Sequence, residues 1–366
     1  MKYIDYDWVK PLFLGSIFLG AGGGGKTNNI LILLEELFSK NKTLPLLDID
    51  DLDDNKTYAS VGLIGSPEIL DDFFCSGKEG IIALKKLESI TKNKVEGLFT
   101  LECAGSNVLY PLLISLLLDI PYIDGDSIGR AFPELQMTTF NLTKKSLSPF
   151  IVCNARENIY QFNDKDNFLL DLNIRSIIGQ EENIGFFASC PTKGNSLKRL
   201  LIPRTLSLAY SIGKVFTEYS TYESILSNLI KVTKNSIYGA SIELFMGEVE
   251  NIGSVDHKNW QSITLKGIKN NKEDIFQILS HNENLIAHKN NSLAVMVPDL
   301  ISLINLDTLN PICNNDLYKG MQVAVIGTPS PLVWKTKDAL NMVGPQCFGY
   351  NSTYKSLEEL YFNYYY

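Results

Sequence analysis

Side chains that could do chemistry are densest in residues 124–137. Asp124 and Asp126 lie two residues apart, and Arg130 and Glu134 follow on a stretch interrupted by glycine and proline. Two neighbouring carboxylates raise the pKa of one of them and can activate a water molecule, or they can bind a divalent metal. Arg130 can hold a carboxylate or imide-like group through two parallel hydrogen bonds, or it can neutralise Asp124 or Glu134 in a structural ion pair.

A second group runs from Glu102 to Asn107, after an apolar stretch. Glu102 is a candidate acid, base or metal ligand, and Asn107 is a candidate substrate ligand. Cys103 could be a nucleophile at the start of the following helix. No histidine lies nearby to act as its base, and a lone cysteine is more often a small buried apolar residue.

Histidine is rare in this chain. His281 and His288 are seven residues apart, a spacing that fits no familiar zinc site, and the third histidine is His257. We therefore expect any metal ligands to be carboxylates, with Glu102, Asp124 and Asp126 as the candidates. Asn282 and Glu283 lie beside a predicted strand and are candidate substrate-binding residues from the second half of the chain.

The segment Gly20–Thr27 fits the phosphate-loop pattern GxxxxGK[ST], in which backbone amides hold phosphates, Lys26 reaches the outer phosphates and Thr27 binds Mg²⁺. However, four consecutive glycines cost more backbone entropy than a phosphate loop needs, and no motif for a water-activating partner follows. A glycine run at a strand-to-helix junction can also bind another anion, admit a different ligand or serve packing. We predict substrate binding by Gly22, Gly23, Gly24, Gly25 and Lys26, and keep a nucleotide-binding protein as the alternative.

The first half of the chain alternates apolar runs with segments of helical period. We predict strands at residues 17–19, 44–47, 97–102 and 121–124, and helices at 28–40, 81–91 and 106–118, with a further helix beginning at Ser66. Alternating strands and helices predict a parallel sheet covered on both faces. Ligands of such sheets bind at the carboxyl ends of the strands. The segments 20–25, 48–54, 102–107 and 124–130 should therefore meet at one edge.

The pattern changes after residue 165. Helices are predicted at 197–218 and 222–233, and short apolar runs separated by turns follow at 241–249, 261–268, 293–297, 300–305 and 321–326. The fold class predicted is α/β, with an N-terminal parallel-sheet α/β domain over residues 1–165 and a second, β-rich C-terminal domain within residues 166–366. The tyrosine-rich end, residues 361–366, suggests no mechanism.

Composition narrows the function classes. The 366 residues are 45% hydrophobic, which excludes a disordered chain. A net charge of −8 provides no basic surface for nucleic acid or an anionic membrane. Six scattered cysteines without a CxxC motif indicate free thiols in a reducing compartment. Acidic residues near the start argue against a signal peptide, and no apolar run reaches the ~20 residues of a membrane span, so we expect a cytoplasmic protein.

Taken together, these segments resemble the S-methyl thiohydantoin desulfurase family, whose members are sometimes encoded beside or fused to hydantoinase/oxoprolinase proteins. The most diagnostic stretch is GRAFPELQMTT at residues 129–139. The other matching segments span nearly the whole chain, in the family's order: 19–25, 102–107, 121–139, 202–213, 282–287, 298–301, 344–345 and 348–350. Lys26, Ala104, Gly125 and Ser127 depart from the family pattern inside the predicted pocket, so the substrate need not be the family's.

The resemblance implies an α/β N-terminal domain, a β-rich C-terminal domain, and hydrolysis of a hydantoin- or thiohydantoin-like cyclic amide. We predict that Glu102, Asp124 and Asp126 activate water, directly or through a divalent metal ion. Glu134 is a further candidate acid. Arg130 and the glycine amides would stabilise the oxyanion or the substrate. No other cofactor is implied, and we also predict a homo-oligomer. A non-catalytic partner subunit of a hydantoinase/oxoprolinase is a further alternative.

Overall fold

The computed structural model describes residues 2–25, 28–39, 42–65, 75–255 and 260–362. The chain forms two compact units, and each is discontinuous in sequence. Unit 1 comprises Met1–Phe13 and Gly24–Ser207, and unit 2 comprises Leu14–Gly23 and Leu208–Tyr366. The domain boundary predicted between residues 165 and 166 stays a prediction.

Within the described residues, unit 1 is built on a mixed sheet with the order β1-β2-β5-β4-β3-β8-β6-β7, and β9 pairs with β5. Its centre, β2-β5-β4-β3, is parallel, as the sequence predicts, whereas β1, β6, β7, β8 and β9 pair antiparallel. The strands are β1 (Lys2–Ile4), β2 (Leu44–Leu47), β3 (Thr57–Gly65), β4 (Val95–Thr100), β5 (Tyr122–Asp126), β6 (Phe150–Cys153), β7 (Ile159–Phe162), β8 (Ile184–Lys193) and β9 (Ile202–Pro203).

Unit 2 carries an antiparallel sheet with the order β14-β13-β12-β11-β10-β17-β15-β16 among the described strands. The β-rich second part predicted from the sequence is therefore confirmed. A stacked pair, Phe245 and Phe276, lies in its core with ring centroids 5.0 Å apart. The strands are β10 (Ile242–Val255), β11 (Trp260–Gly267), β12 (Ile275–His281), β13 (Glu283–Lys289), β14 (Ser292–Met296), β15 (Leu300–Asn305), β16 (Pro311–Ile312) and β17 (Gln322–Thr328).

Helices occur in both units, and those of unit 1 cover both faces of its sheet. The α-helices in the described part of the chain are α1 (Tyr6–Leu19), α2 (Asn28–Phe38), α3 (Lys78–Thr91), α4 (Ser106–Leu118), α5 (Thr139–Leu142), α6 (Asn167–Gln180), α7 (Gly194–Leu197), α8 (Thr205–Glu218), α9 (Tyr222–Lys234), α10 (Lys337–Val343) and α11 (Leu357–Leu360). Consecutive residues of β8 point to opposite faces. Phe186 contacts Tyr110 of α4, whereas Phe187 contacts Phe150 in the core cluster that includes α6.

The strand predicted at residues 17–19 is wrong, because these residues end helix α1. Every residue from 11 to 19 is buried, so α1 has no exposed polar face along most of its length. A helix that is apolar all round cannot be told from a buried strand by periodicity. The glycine run therefore joins two helices, and the strand–loop–helix arrangement required by the phosphate-loop pattern is not found.

Two further predictions need correction. The helix predicted at 197–218 begins at Thr205, because Ile202 and Pro203 form β9 and proline disfavours helical backbone in the residue before it. The strand predicted at 121–124 continues to Asp126, so both carboxylates lie within β5 and Asp126 is not on a loop after it. The helix start predicted at Ser66 lies outside the described residues. Among the residues that are described, no helix is long and apolar enough to cross a membrane.

Helices α1 and α8 approach each other at Gly15, and this contact generates a stability prediction. A Cβ atom at Gly15 would lie 1.7 Å from the carbonyl oxygen of Ala209. We expect Gly15→Ala to lower the free energy of unfolding by about 3 kcal/mol, since overpacking forces the backbones apart. Chemical denaturation provides the measurement.

The matched control is Gly179→Ala in α6, where the nearest atom to an added Cβ lies 3.8 Å away. This variant should be neutral, or more stable by up to about 1 kcal/mol, because alanine favours helix. If both variants unfold with the same free energy, the close approach of α1 and α8 is contradicted.

Candidate active site

The carboxyl ends of strands β4 and β5 lie side by side in the parallel part of the unit 1 sheet. The Ser127 amide donates to the Leu101 carbonyl at 2.9 Å, and the Cys103 amide donates to Asp126 Oδ2 at 2.8 Å. These two bonds hold the segment after β4 against the end of β5. The predicted meeting of Glu102 and Asp126 at one edge of the sheet is therefore found.

Asp126 is fully buried and its charge is supported by backbone amides. Besides the Cys103 amide, Oδ2 accepts hydrogen bonds from the amides of Gly129 at 2.7 Å and Ile128 at 3.3 Å. Burial raises the pKa of Asp126 to about 6, and these amide bonds oppose that rise. The group can therefore carry either a proton or a charge close to neutral pH.

Glu102 differs from Asp126 because part of its surface is accessible to solvent. Its Oε1 accepts a hydrogen bond from Asn107 Nδ2 at 2.7 Å. Burial of the carboxyl group raises the pKa of Glu102 to about 7, and the negative charge of Asp126 adds to the rise. Two interacting carboxyl groups with near-neutral pKa values in one place are typical of an acid–base site.

The neighbouring thiol is poorly suited to nucleophilic attack. Cys103 is buried, and its Sγ donates to the Thr205 carbonyl at 3.5 Å. Burial and the nearby carboxylates Asp126 and Asp124 raise the pKa of Cys103 well above its usual value. The thiol therefore stays protonated near neutral pH, whereas the nucleophile of a cysteine enzyme is the thiolate.

Asp124 lies on the same strand but has a different set of partners. Its carboxylate accepts hydrogen bonds from the amide and the hydroxyl of Ser207 in the first turn of α8, and Lys2 Nζ lies 4.0 Å away. A carboxylate at this end of a helix is stabilised by the helix dipole. Burial raises the pKa of Asp124, and the Ser207 bonds oppose the rise. These contacts suit a structural anchor for α8.

Arg130 and Glu134 lie in further local networks of unit 1. Arg130 is fully buried, its Nε donates to the Ala131 carbonyl, and its guanidinium lies 4.9 Å from the centroid of the Phe132 ring. Glu134 is half-buried and bonds to Gln136. Burial raises the pKa of Glu134, with a smaller contribution from the charge of Asp171.

Of the residues predicted to bind substrate, Gly22, Gly23, Asn282 and Glu283 lie in unit 2, where they pack closely. Gly22 has φ +94°, and a Cβ atom added there would lie 2.7 Å from the side-chain amide group of Asn314. A Cβ atom added at Gly23 would lie 2.4 Å from Glu283 Oε1. The Gly22 carbonyl accepts from the Asn314 amide at 2.9 Å. Asn282, at φ +64°, forms the turn before Glu283. Here the glycines permit close packing against these side chains.

The remaining glycines and the lysine complete the set of predicted ligands. In unit 1, the Gly24 carbonyl accepts from the Ser106 amide at the start of α4, at 3.0 Å. Gly25 has φ +61°. Lys26 lies outside the described residues, as do Thr27 and His257. The Ser106 amide, which has no candidate role in the sequence, thus binds the glycine run.

Some structurally important residues carried no signal in the sequence. Asn314 contacts the glycine run, but it stands in an ordinary polar stretch, and Leu63 bonds to Asn107 through its backbone amide alone. Such partners are distant in sequence, so spacing could not find them. Among the described residues, no three His, Cys, Asp or Glu side chains form a cluster that could hold a metal ion.

Comparison with known proteins agrees with this fold. Residues 7–164 match the family model described as "S-Me-THD-like, N-terminal domain", and residues 165–357 match "S-Me-THD-like, C-terminal domain". The crystal structure of a protein from Chromobacterium violaceum superimposes with a TM-score of 0.83 at 19% sequence identity, covering 98% of this chain and 100% of that chain. This likeness concerns the fold alone. No curated protein matches the chain.

The raised pKa of Glu102 generates a prediction about stability. A folded chain whose carboxyl group titrates at about 7 binds its proton more tightly than the unfolded chain, where glutamate titrates near ~4.3. As far as this group contributes, the free energy of unfolding therefore falls as pH rises between these values. Glu102→Gln should be more stable than wild type by about 1–3 kcal/mol at pH 8, with little gain at pH 4.

Urea denaturation at the two pH values measures this difference. Glu250→Gln, which removes an exposed carboxylate, serves as the control and should match wild type at both. If the gain for Glu102→Gln is equally large at low and high pH, the raised pKa is contradicted.

Proposed function

Because the chain belongs to the S-Me-THD-like family, named for desulfurase activity on S-methyl thiohydantoin, we propose that it hydrolyses the C–S bond of such a ring. The proposed substrate is S-methyl thiohydantoin or a closely related five-membered cyclic amide. The observation that carries the proposal is the Glu102–Asp126 pair, with near-neutral pKa values at the ends of two parallel strands.

The proposed reaction consumes one water molecule and balances without a redox step. Water attacks the ring carbon that bears the S-methyl group and gives a tetrahedral intermediate. The C–S bond then breaks, the new C–O bond becomes the carbonyl of the hydantoin, and the methylthiolate leaves with a proton as methanethiol. The water oxygen gives up both of its protons: one ends on the ring nitrogen, whose double bond to the attacked carbon opens, and the other ends on the leaving sulfur.

Glu102 is the proposed general base, since it combines accessible surface with a pKa near the pH of the reaction. Once it holds the proton from water, the same carboxyl group can give that proton to the departing thiolate. Asp126 is buried and is proposed to act through Glu102. Its negative charge makes Glu102 a stronger base, because it opposes a second negative charge nearby.

Other roles inferred from the sequence stay predictions. They include substrate binding by Gly22–Gly25, Lys26, Asn282 and Glu283, and roles of Asp124, Arg130 and Glu134 in catalysis. The same applies to a divalent metal ion, a homo-oligomer, a hydantoinase/oxoprolinase-type partner and a cytoplasmic location. The proposed mechanism needs only the two carboxyl groups, water and the substrate ring.

The first test measures methanethiol release from S-methyl thiohydantoin. Glu102→Gln should lower kcat/KM by about 10²–10⁴-fold, because the amide cannot accept the proton from water. Glu250→Gln is the matched control and should keep wild-type activity. Full turnover by Glu102→Gln, or no release by the wild-type chain over a panel of thiohydantoins, would overturn the proposal. Release that appears only after a partner protein is added would instead support a partner subunit.

The second test is the pH dependence of kcat/KM. The base must be ionised, so the rate should rise with pH and level off above about 7, the pKa of Glu102. Since Glu102 and Asp126 interact, the apparent pKa values in this profile belong to the pair. In Asp126→Asn, loss of the negative charge should move the rising part of the pH–rate profile to lower pH. A rate that is constant between pH 5 and 8 would contradict a carboxylate base.

A further inference from the structure

Strand β4 ends before its neighbour β3, and this leaves a gap in the parallel part of the sheet. The two strands pair from Thr57 opposite Val95 to Ser60 opposite Phe99. Strand β3 then continues to Gly65, paired only with β8 on its other side. Backbone amides of β3 that face the missing β4 positions need another acceptor, because a buried N–H without a partner is costly.

Asn107 supplies that acceptor. Its Oδ1 accepts the Leu63 amide at 2.7 Å, while its Nδ2 donates to Glu102 Oε1, also at 2.7 Å. The two bonds fix the amide orientation, since a flipped side chain would point its NH₂ group at the Leu63 N–H. One end of Asn107 therefore continues the sheet, and the other end faces the Glu102 carboxylate.

Two further contacts are specific to this arrangement. An added Cβ at Gly62 would lie 3.0 Å from Asn107 Oδ1 and 2.6 Å from the Phe187 ring, so β3 carries a glycine where the amide approaches. The Thr100 hydroxyl lies 2.8 Å from the Glu102 carbonyl and 2.7 Å from the Asn107 carbonyl. The backbones of Glu102 and Asn107 are therefore held together as well as their side chains.

We infer that Asn107 is a positioning residue that ties the orientation of Glu102 to strand β3, rather than a residue that binds substrate. The effect on turnover rests on the proposed function, whereas the effect on Glu102 itself does not. Without this donor, Glu102 loses one of the hydrogen bonds that orient its carboxylate and stabilise its ionised form, and the bond from the Phe132 backbone amide is left. The other titratable groups that act on Glu102 are Asp126 and Cys103, and substitution of Asn107 leaves both in place.

The test follows the titration of Glu102 directly, by ¹³C NMR of glutamate labelled at the carboxyl carbon. The signal that disappears in Glu102→Gln identifies the residue. Asn107→Asp keeps an acceptor for the Leu63 amide but replaces the donor by a second carboxyl group. We expect the Glu102 midpoint to rise by about one unit or more, which is a tenfold loss of ionised carboxylate below the midpoint. Asn107→Ser, which adds no charge, should move it in the same direction by less.

Asn167 offers a matched control in the same unit. Its Oδ1 accepts the Leu147 amide at 2.9 Å, and its Nδ2 donates to the Lys145 carbonyl, so it has the same bridging role without a carboxylate partner. Asn167→Asp should lower stability and leave the Glu102 midpoint unchanged.

Three outcomes separate the inference from the proposed function. A raised midpoint in both Asn107 variants, together with a lower kcat and a KM within about threefold of wild type, supports both. A raised midpoint in a chain whose wild type releases no methanethiol supports the positioning role and contradicts the proposed reaction. An unchanged midpoint in both variants, or a large rise in KM with unchanged kcat, overturns the positioning role and assigns Asn107 to substrate binding.

Discussion

The candidate site depends on a carboxylate that the fold keeps inside the protein. Asp126 Oδ2 accepts three backbone amides, one from the segment after β4 and two from the segment after β5. A buried charge costs several kcal/mol unless it is hydrogen-bonded, so these amides must stay where they are for the carboxylate to remain ionised. The same bonds hold the Cys103 amide, and with it Glu102, at the end of the sheet. The geometry of the candidate site therefore depends on this one group.

Much of the fold could be predicted because its elements have regular patterns. The strand Leu44–Leu47 and the helix Ser106–Leu118 have the predicted bounds, and the antiparallel character of the second half follows from its turn-separated apolar runs. Helix α1 was missed because it is buried on nearly every side and lacks a polar face. Tertiary burial removes the very periodicity on which sequence reasoning depends.

The site could be predicted only as far as chain order determines it. Glu102 follows β4 and Asp126 ends β5, the next strand along the chain and its parallel neighbour, so their meeting could be expected. Asp124 is two residues away and of the same type, yet its partner is Ser207, which lies 83 residues further along the chain. Leu63 and Asn314 likewise contribute through contacts across the fold. The residue types predicted the chemistry, and the tertiary contacts decided which of these acidic residues keeps solvent-accessible surface.

The discontinuity of unit 2 has a consequence for synthesis on the ribosome. Residues 14–23 are made early, but their contacts lie with residues made much later: Gly15 packs on Ala209, and the carbonyls of Ala21 and Gly22 accept the amides of Asn284 and Asn314. At roughly 5–20 residues per second, the apolar end of helix α1 waits on the order of 10 s or more before the rest of its unit emerges. The nascent chain thus exposes an apolar segment before its final neighbours are made, which suits protection by a chaperone. Because both units are discontinuous in sequence, no single chain boundary separates them.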